Sequence, residues 1–296
     1  MTTFFLCRAC GASQMFPGNC AACLRARRYV AVTPQGDNGS RSSGVVSLAD
    51  IPATITRRPV PGWPGLDLIL DGGLVPGSVL CLYGGPGSGK TTWAMQLAEA
   101  MSDPGGIADQ EYPLRRALMV SGELAAPMVR LYADRLGIVV ELIDLLCTET
   151  VDQIEAAVTI EPPPLLVVDS LQVLSAEATD GAPGDPAQVR AVARRLVALA
   201  RATDVPTLLL LQSTKDEGYA GPRLVEHLVD GMIALGVEGA DEAAETHAQP
   251  CPIGSGCLTC QSLGPIVTAT VAGKYRFGPT GRSCRMRLTA RGMVAA

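Results

Sequence analysis

Residues 84–91 read Gly84-Gly85-Pro86-Gly87-Ser88-Gly89-Lys90-Thr91, the spacing G-x4-G-K-[ST]. Few strings of eight residues restrict a fold so strongly. The glycines let backbone N–H groups turn inward around an anion, and the loop requires a strand before it and a helix after it. Both flanks comply: residues 78–83 are an apolar, β-prone run and residues 91–101 carry a helical pattern. The helix N-terminus adds partial positive charge. Lys90 is placed to reach β- and γ-phosphates, and Thr91 to offer a hydroxyl to Mg²⁺. The loop, with Thr92 after it, predicts a site for ATP and Mg²⁺. The alternative is a chance Gly-rich turn before a helix.

A strand that feeds a helix implies a parallel sheet, and the sequence continues in that manner. Further apolar strands are expected at 116–121, 165–169, 206–212 and 231–237, and a late hairpin at 266–274 and 283–289 around Gly278-Pro279-Thr280-Gly281. Helices are expected at 126–136, 151–158 and 186–202. The last gathers Val189, Val192, Ala193, Leu196, Val197, Leu199 and Ala200 on one side. Apolar residues make up 47% of the 296 but aromatics only 4%, so the core must be Leu, Val, Ile and Ala, as in sheets buried on both faces. No run is apolar enough to span a membrane, and the start lacks the basic flank of a secretory signal, so a cytoplasmic location without a membrane partner is expected. Residues 31–60 are rich in Gly, Ser, Asn and Pro and read as a linker between a module at 1–30 and a large α/β domain at 61–296.

Two polar residues end predicted strands where phosphate chemistry needs them. Asp169 closes the apolar run Leu165-Leu166-Val167-Val168, 79 residues after Lys90, and is placed to hold Mg²⁺ through water. Its alternative is an N-cap for the following helix. Gln212 ends a later strand, where it could sense a γ-phosphate.

The cysteines sort by position. Cys7, Cys10, Cys20 and Cys23 form C-x2-C-x9-C-x2-C, two knuckles that predict a tetrahedral Zn²⁺ site. A module of this size buries little core by itself, so metal is its expected source of stability. His247, Cys251, Cys257 and Cys260 form H-x3-C-x5-C-x2-C within an insertion at about 240–264. They suit a second zinc, with a loop of free thiols as the alternative. The net charge is −5, yet residues 1–28 and 273–296 carry basic side chains and no acidic ones.

The phosphate loop, the four-cysteine module and several shorter stretches resemble the bacterial RadA/Sms recombination proteins, relatives of RecA. These stretches are Gly72-Gly73-Leu74-Val75-Pro76-Gly77, Val120-Ser121-Gly122-Glu123, Val168-Asp169-Ser170, Thr214-Lys215, and Lys274-Tyr275-Arg276-Phe277-Gly278. The resemblance runs from Cys7 to about Met293. It implies a RecA-like P-loop NTPase with a mainly parallel, twisted sheet flanked by helices, plus an N-terminal zinc-ribbon-like module. Glu123 would orient the attacking water; its alternative is a solvated loop carboxylate. Lys274 and Arg276 match the family's K-N-R-F-G hallmark, in which the cations are thought to reach the nucleotide of a neighbouring subunit.

The resemblance further implies an oligomer, a hexameric ring in the family, that moves on single-stranded or branched DNA during recombination and repair. The sequence departs from the family in three places. Tyr275 stands where the hallmark has Asn, the loop after Gln212 is one residue longer, and the sequence is expected to lack the Lon-protease-like C-terminal domain into which the family continues. The expected channel loops, about 175–186 and 213–223, are mostly acidic: Glu177, Asp180 and Asp185 in the first, and Lys215 and Arg223 against Asp216 and Glu217 in the second. A DNA-dependent ATPase is therefore weighed against a nucleotide-switched regulatory or scaffold ATPase that has lost translocation. The cysteine spacing predicts two zinc ions per chain by metal analysis, falling to one in Cys257→Ser.

Overall fold

The computed structural model describes residues 57–102, 115–177, 179–212, 223–238 and 264–296, with three short strands and Leu48 before them. Two compact units share the chain, Met1–Ile55 and Thr56–Ala296. In the first, β1 (Phe4–Cys7), β2 (Ser13–Gln14) and β3 (Tyr29–Val32) form an antiparallel sheet of order β2-β1-β3. Cys10, Cys20 and Cys23 and the whole cluster from His247 to Cys260 lie outside the described residues, as do the ligating atoms of Cys7. Among the described residues no group of His, Cys, Asp and Glu could hold a metal through three of its members, and no helix is long and apolar enough to cross a membrane.

The second unit is built on one nine-stranded sheet. In chain order it contains α1 (Pro64–Ile69), β4 (Val79–Gly84), α2 (Lys90–Ser102), β5 (Ala117–Ser121), α3 (Ala126–Leu136), β6 (Ile143–Cys147), α4 (Val151–Ile160) and β7 (Leu166–Asp169). It continues through α5 (Pro186–Thr203), β8 (Thr207–Gln212), α6 (Arg223–Glu226), β9 (Gly231–Val237), β10 (Ile266–Tyr275), β11 (Ser283–Thr289) and β12 (Gly292–Ala295). The order across the sheet is β12-β11-β10-β9-β4-β8-β7-β5-β6. From β9 to β6 neighbouring strands are parallel. The other three join antiparallel at the β9 edge.

Alternation along the central strands divides the core. Leu80 and Leu82 of β4 and Leu208 and Leu210 of β8 face one layer with Trp93, Leu97 and α1. Val79, Cys81, Leu209 and Leu211 face the other, with the apolar stripe of α5 and with α4. Both faces are covered, so these strands read as unbroken apolar runs. Strands and helices fall within two residues of the sequence expectations. Two strands of this sheet were not expected, nor were the short helices α1 and α6. β6 is a short edge strand whose residues are half-buried or exposed, and its apolar run is interrupted by Asp144. β12 is four residues, Gly292-Met293-Val294-Ala295, too short for a period to emerge. Residues 31–60 are not linker throughout: β3 extends to Val32, and the Arg58 N–H and C=O pair with Leu74 while Val60 is buried in the core.

Burial predicts the stability response. Leu210→Ala at the sheet centre should cost about 2–5 kcal/mol by urea unfolding. Leu131→Ala, on the solvent face of α3 at 72% exposure, should stay within about 0.5 kcal/mol of the parent.

Candidate nucleotide-binding site

β4 lies between β8 and β9, so its C-terminal residue is fixed from both sides. That residue is Gly84. A Cβ there would lie 2.6 Å from the Leu235 carbonyl oxygen and 2.8 Å from Ser88 Oγ, which leaves room for glycine alone. Gly87 and Gly89 follow with φ of 76° and 85°, the left-handed region that turns the loop toward α2. Ser88 Oγ is buried with no hydrogen-bond partner among the described residues. A buried polar atom without a partner is costly, and an anion's oxygen in the loop would relieve it.

Lys90 opens α2 and folds back into the loop, donating to Gly84 O at 2.8 Å and Gly85 O at 2.9 Å. Burial holds its ammonium below the usual lysine range, and Asp169 and Glu123 pull it back up. Thr91 Oγ1 donates to Asp169 Oδ2 at 2.6 Å. Burial raises the Asp169 carboxyl above its ordinary value, against the Thr91 hydrogen bond; Glu123 adds to the rise and Lys90 opposes it. A hydroxyl and a carboxylate meeting beside a phosphate loop are the hard oxygen donors that Mg²⁺ takes, so these residues fit the cation.

Glu123 arrives from the next strand pair. Ser121 and Asp169 are register partners in the parallel pair β5–β7, which puts the loop after β5 beside Asp169. Ser121 Oγ closes that loop, donating to Leu124 O at 2.9 Å and accepting from its N–H at 3.1 Å. Gly122 N–H donates to Asp169 O at 3.0 Å, and a Cβ on Gly122 would meet Val173 at 2.3 Å. Ser170 Oγ, beside Asp169 in sequence, then donates to Glu123 Oε1 at 2.6 Å. Gln212, at the end of β8, is held by its backbone: its N–H donates to Gln172 Oε1 at 3.0 Å, and Gln172 Nε2 donates to its carbonyl at 3.1 Å.

These groups line one cleft of about 440 Å³. It also contains residues that periodicity did not single out. Thr92 Oγ1 shares a 2.6 Å hydrogen bond with Tyr132 OH, and the Arg135 guanidinium stacks 4.5 Å from the Tyr132 ring centroid. Both sit on α3, where they read only as part of an amphipathic pattern. Ser170 was visible as a neighbour of Asp169 but had no assigned task. The C-terminal strands close the cleft from above. Gln96 of α2 exchanges hydrogen bonds with the Met293 backbone, at 2.8 Å to its N–H and 3.3 Å to its O. A Cβ on Gly89 would lie 2.4 Å from Met293 Cε.

Lys274 and Arg276 are not in this cleft. Tyr275 pairs with Gly231, which is level with Leu80, whereas the phosphate loop begins at Gly84, at the far end of β4. Arg276 instead pairs with Asp230, whose other oxygen takes the Val79 N–H. Five residues separate Val79 from Gly84, about 16 Å of strand. Burial first, then the Arg276 charge, lowers the Lys274 ammonium from its usual range; Asp230 and Glu226 act against this and Arg201 with it. Tyr275, in place of the hallmark Asn, buries its ring against Phe277 and donates its hydroxyl to Leu70 O at 2.7 Å. The substitution therefore fastens the turn to the end of α1.

Comparison with known proteins follows this geometry. The AAA domain family matches residues 63–218. The chain is similar to DNA repair protein RadA of Mycobacterium tuberculosis, 41% identical over 204 residues, which is 67% of this chain and 39% of that protein. It is 34% identical to RadA of Brucella abortus over 254 residues, 79% of this chain and 52% of the relative. The Escherichia coli RadA match is 32% over 249 residues, 78% and 51%. The chain thus spans from about two-fifths to half the length of these relatives. In fold it is similar to a KaiC-like protein of Pyrococcus horikoshii, with a TM-score of 0.55 at 18% identity, over 83% of this chain and 100% of the other.

Asp169 must be ionised to serve a divalent cation, and burial raises its pKa. Mg²⁺-dependent nucleotide affinity should therefore weaken on acidification at a higher pH than an ordinary carboxylate would give. Titrations with a fluorescent ATP analogue across pH check this; Asp169→Asn should flatten the dependence relative to the parent, leaving what the nucleotide's own phosphate contributes.

Proposed function

This chain belongs to the AAA domain family and is a homologue of the RadA DNA repair proteins, and from that footing we propose that it is an ATPase of DNA repair and recombination that works on single-stranded or branched DNA. The observation that carries the reading is the convergence of Lys90, Thr91, Glu123 and Asp169 on one cleft at the C-terminal edge of the parallel strands. In this reading the loop N–H groups and Lys90 hold the β- and γ-phosphates. Thr91 and Asp169 would hold Mg²⁺, which would supply positive charge for the phosphate oxygens. Glu123, oriented by Ser170, takes a proton from the attacking water. Gln212 reports the γ-phosphate to the loop that follows β8.

The second half of the site comes from another copy. Lys274 and Arg276 lie at the opposite end of the sheet from their own phosphate loop, so they serve a neighbour's nucleotide in a ring, where cations offset transition-state charge. The four-cysteine module is retained as a Zn²⁺ site on its spacing and on the antiparallel strands around it. One observation favours the regulatory alternative. The loop after β7 carries Glu177, Asp180 and Asp185, and Asp185 Oδ2 is committed to the Ala182 N–H at 2.7 Å, which does not favour phosphate contact.

Turnover measured with and without single-stranded DNA separates the two. Several-fold stimulation that weakens with salt is expected for the repair ATPase. A flat response overturns it in favour of the regulatory reading. Lys274→Ala should lower turnover by about tenfold or more and leave ATP affinity nearly unchanged; equal loss of both would refute the shared site.

A further inference from the structure

At the end of the sheet remote from the phosphate loop, one carboxylate ties three elements together. The Asp230 side chain is 5% exposed. Its Oδ2 accepts the Val79 N–H at 3.0 Å, and its own N–H donates to Val79 O at 2.8 Å, so it is fastened to the first residue of β4. Its Oδ1 accepts from Arg276 Nη1 at 3.0 Å and lies 3.5 Å from Arg201 Nη2 at the end of α5. Its carbonyl accepts the Arg276 N–H at 2.8 Å. Close by, Lys274 Nζ donates to the carbonyls of Glu226 and His227 at 2.8 and 3.2 Å. Three cations thus gather around one buried acid.

The contact has a direction. Nη1 is the guanidinium nitrogen of Arg276 that bonds to Asp230, while 46% of the side chain is exposed. A side chain tethered through one guanidinium nitrogen and still about half exposed is accessible to a docking partner. Ordering a long side chain before docking removes that cost from the docking step. A carboxylate at this place also offsets the mutual repulsion of Arg201, Lys274 and Arg276, which would otherwise spread them apart.

We propose that Asp230 is the positioning residue for Arg276, holding its guanidinium aimed at the nucleotide of a second copy, with Arg201 balancing the Asp230 charge when Arg276 engages phosphate. This rests on the shared-site reading above. Because Asp230 also touches Val79, the test must separate support of its own β4 from service to a neighbour.

Asp230→Asn keeps the shape and an oxygen for the Val79 N–H but removes the charge. In the full chain it should lower turnover about tenfold with the KM for ATP within about twofold. It is then mixed with Lys90→Ala, whose phosphate loop is disabled but whose Asp230–Arg276 pair is intact. Activity several-fold above the sum of the two variants is expected, since the Lys90→Ala copy supplies an aimed Arg276. No recovery would mean that Asp230 only braces its own strand. Arg276→Ala mixed with Lys90→Ala runs alongside. Recovery there alone overturns the Asp230 assignment and leaves the shared site standing; recovery in neither mixture overturns both. Asp230→Glu keeps the charge near Arg276 while losing register with Val79, and decides the matter if the Asn variant does not fold. It should retain turnover within about threefold of the parent, and loss as deep as that of Asp230→Asn would overturn the proposal.

Discussion

Parallel pairing of Val79–Gly84 with a strand on each edge is the constraint on which the rest depends. It pairs the strand along both edges and buries side chains on both faces, and the Val79 N–H that the ladder leaves over goes to Asp230, so β4 is held in register. The phosphate loop inherits that rigidity at Gly84, and α2 inherits it from the loop. Asp169 ends β7 and Glu123 stands two residues beyond β5 in the same sheet, on a short loop tied back by Ser121 and by the Gly122 N–H on Asp169 O, so their spacing from Thr91 follows largely from strand separation. A site of this kind is organised before substrate arrives, and its polar groups satisfy one another meanwhile. Lys90 rests on loop carbonyls, Thr91 on Asp169, and Ser170 on Glu123. In the proposed reading, binding would exchange these partners for phosphate and metal without rebuilding the frame.

Much of the fold was legible because its strands are buried on both faces. Leu208 to Leu211 alternate between two cores, and the sequence shows this as a plain apolar run. The C-terminal half of α5 was equally plain. β6 was missed because it is only five residues long and Asp144 interrupts its apolar run. The site divides in the same way. Lys90, Thr91 and Asp169 stand at fixed offsets from strand ends and can be found by counting. Tyr132, Arg135 and Asp230 owe their positions to tertiary packing. Asp230, for example, meets Val79 across 151 residues of chain, and nothing local distinguishes it from a solvated acid before a strand.

Tyr275 shows how a departure from a family pattern can be absorbed. A larger ring at the hallmark's second position would be a liability on a free turn. Here it enters the core next to Phe277 and ties the turn to Leu70, while Arg57 holds the Phe277 carbonyl at 2.6 Å from the other side. The flanking Lys274 and Arg276 remain at the surface end of the sheet. The change therefore stiffens the mount and leaves the charged groups in place.

The clamp between Gln96 and Met293 bears on how the protein is made. A ribosome delivers Gly84–Thr91 early, but the strands that fix Gly84, β8 and β9, come more than a hundred residues later, and the cover over Gly89 waits for Met293. A nascent chain with its phosphate-loop sequence already extruded has none of the neighbours that shape it. The loop is thus shaped for ATP only once strands far along the chain have joined the sheet around it.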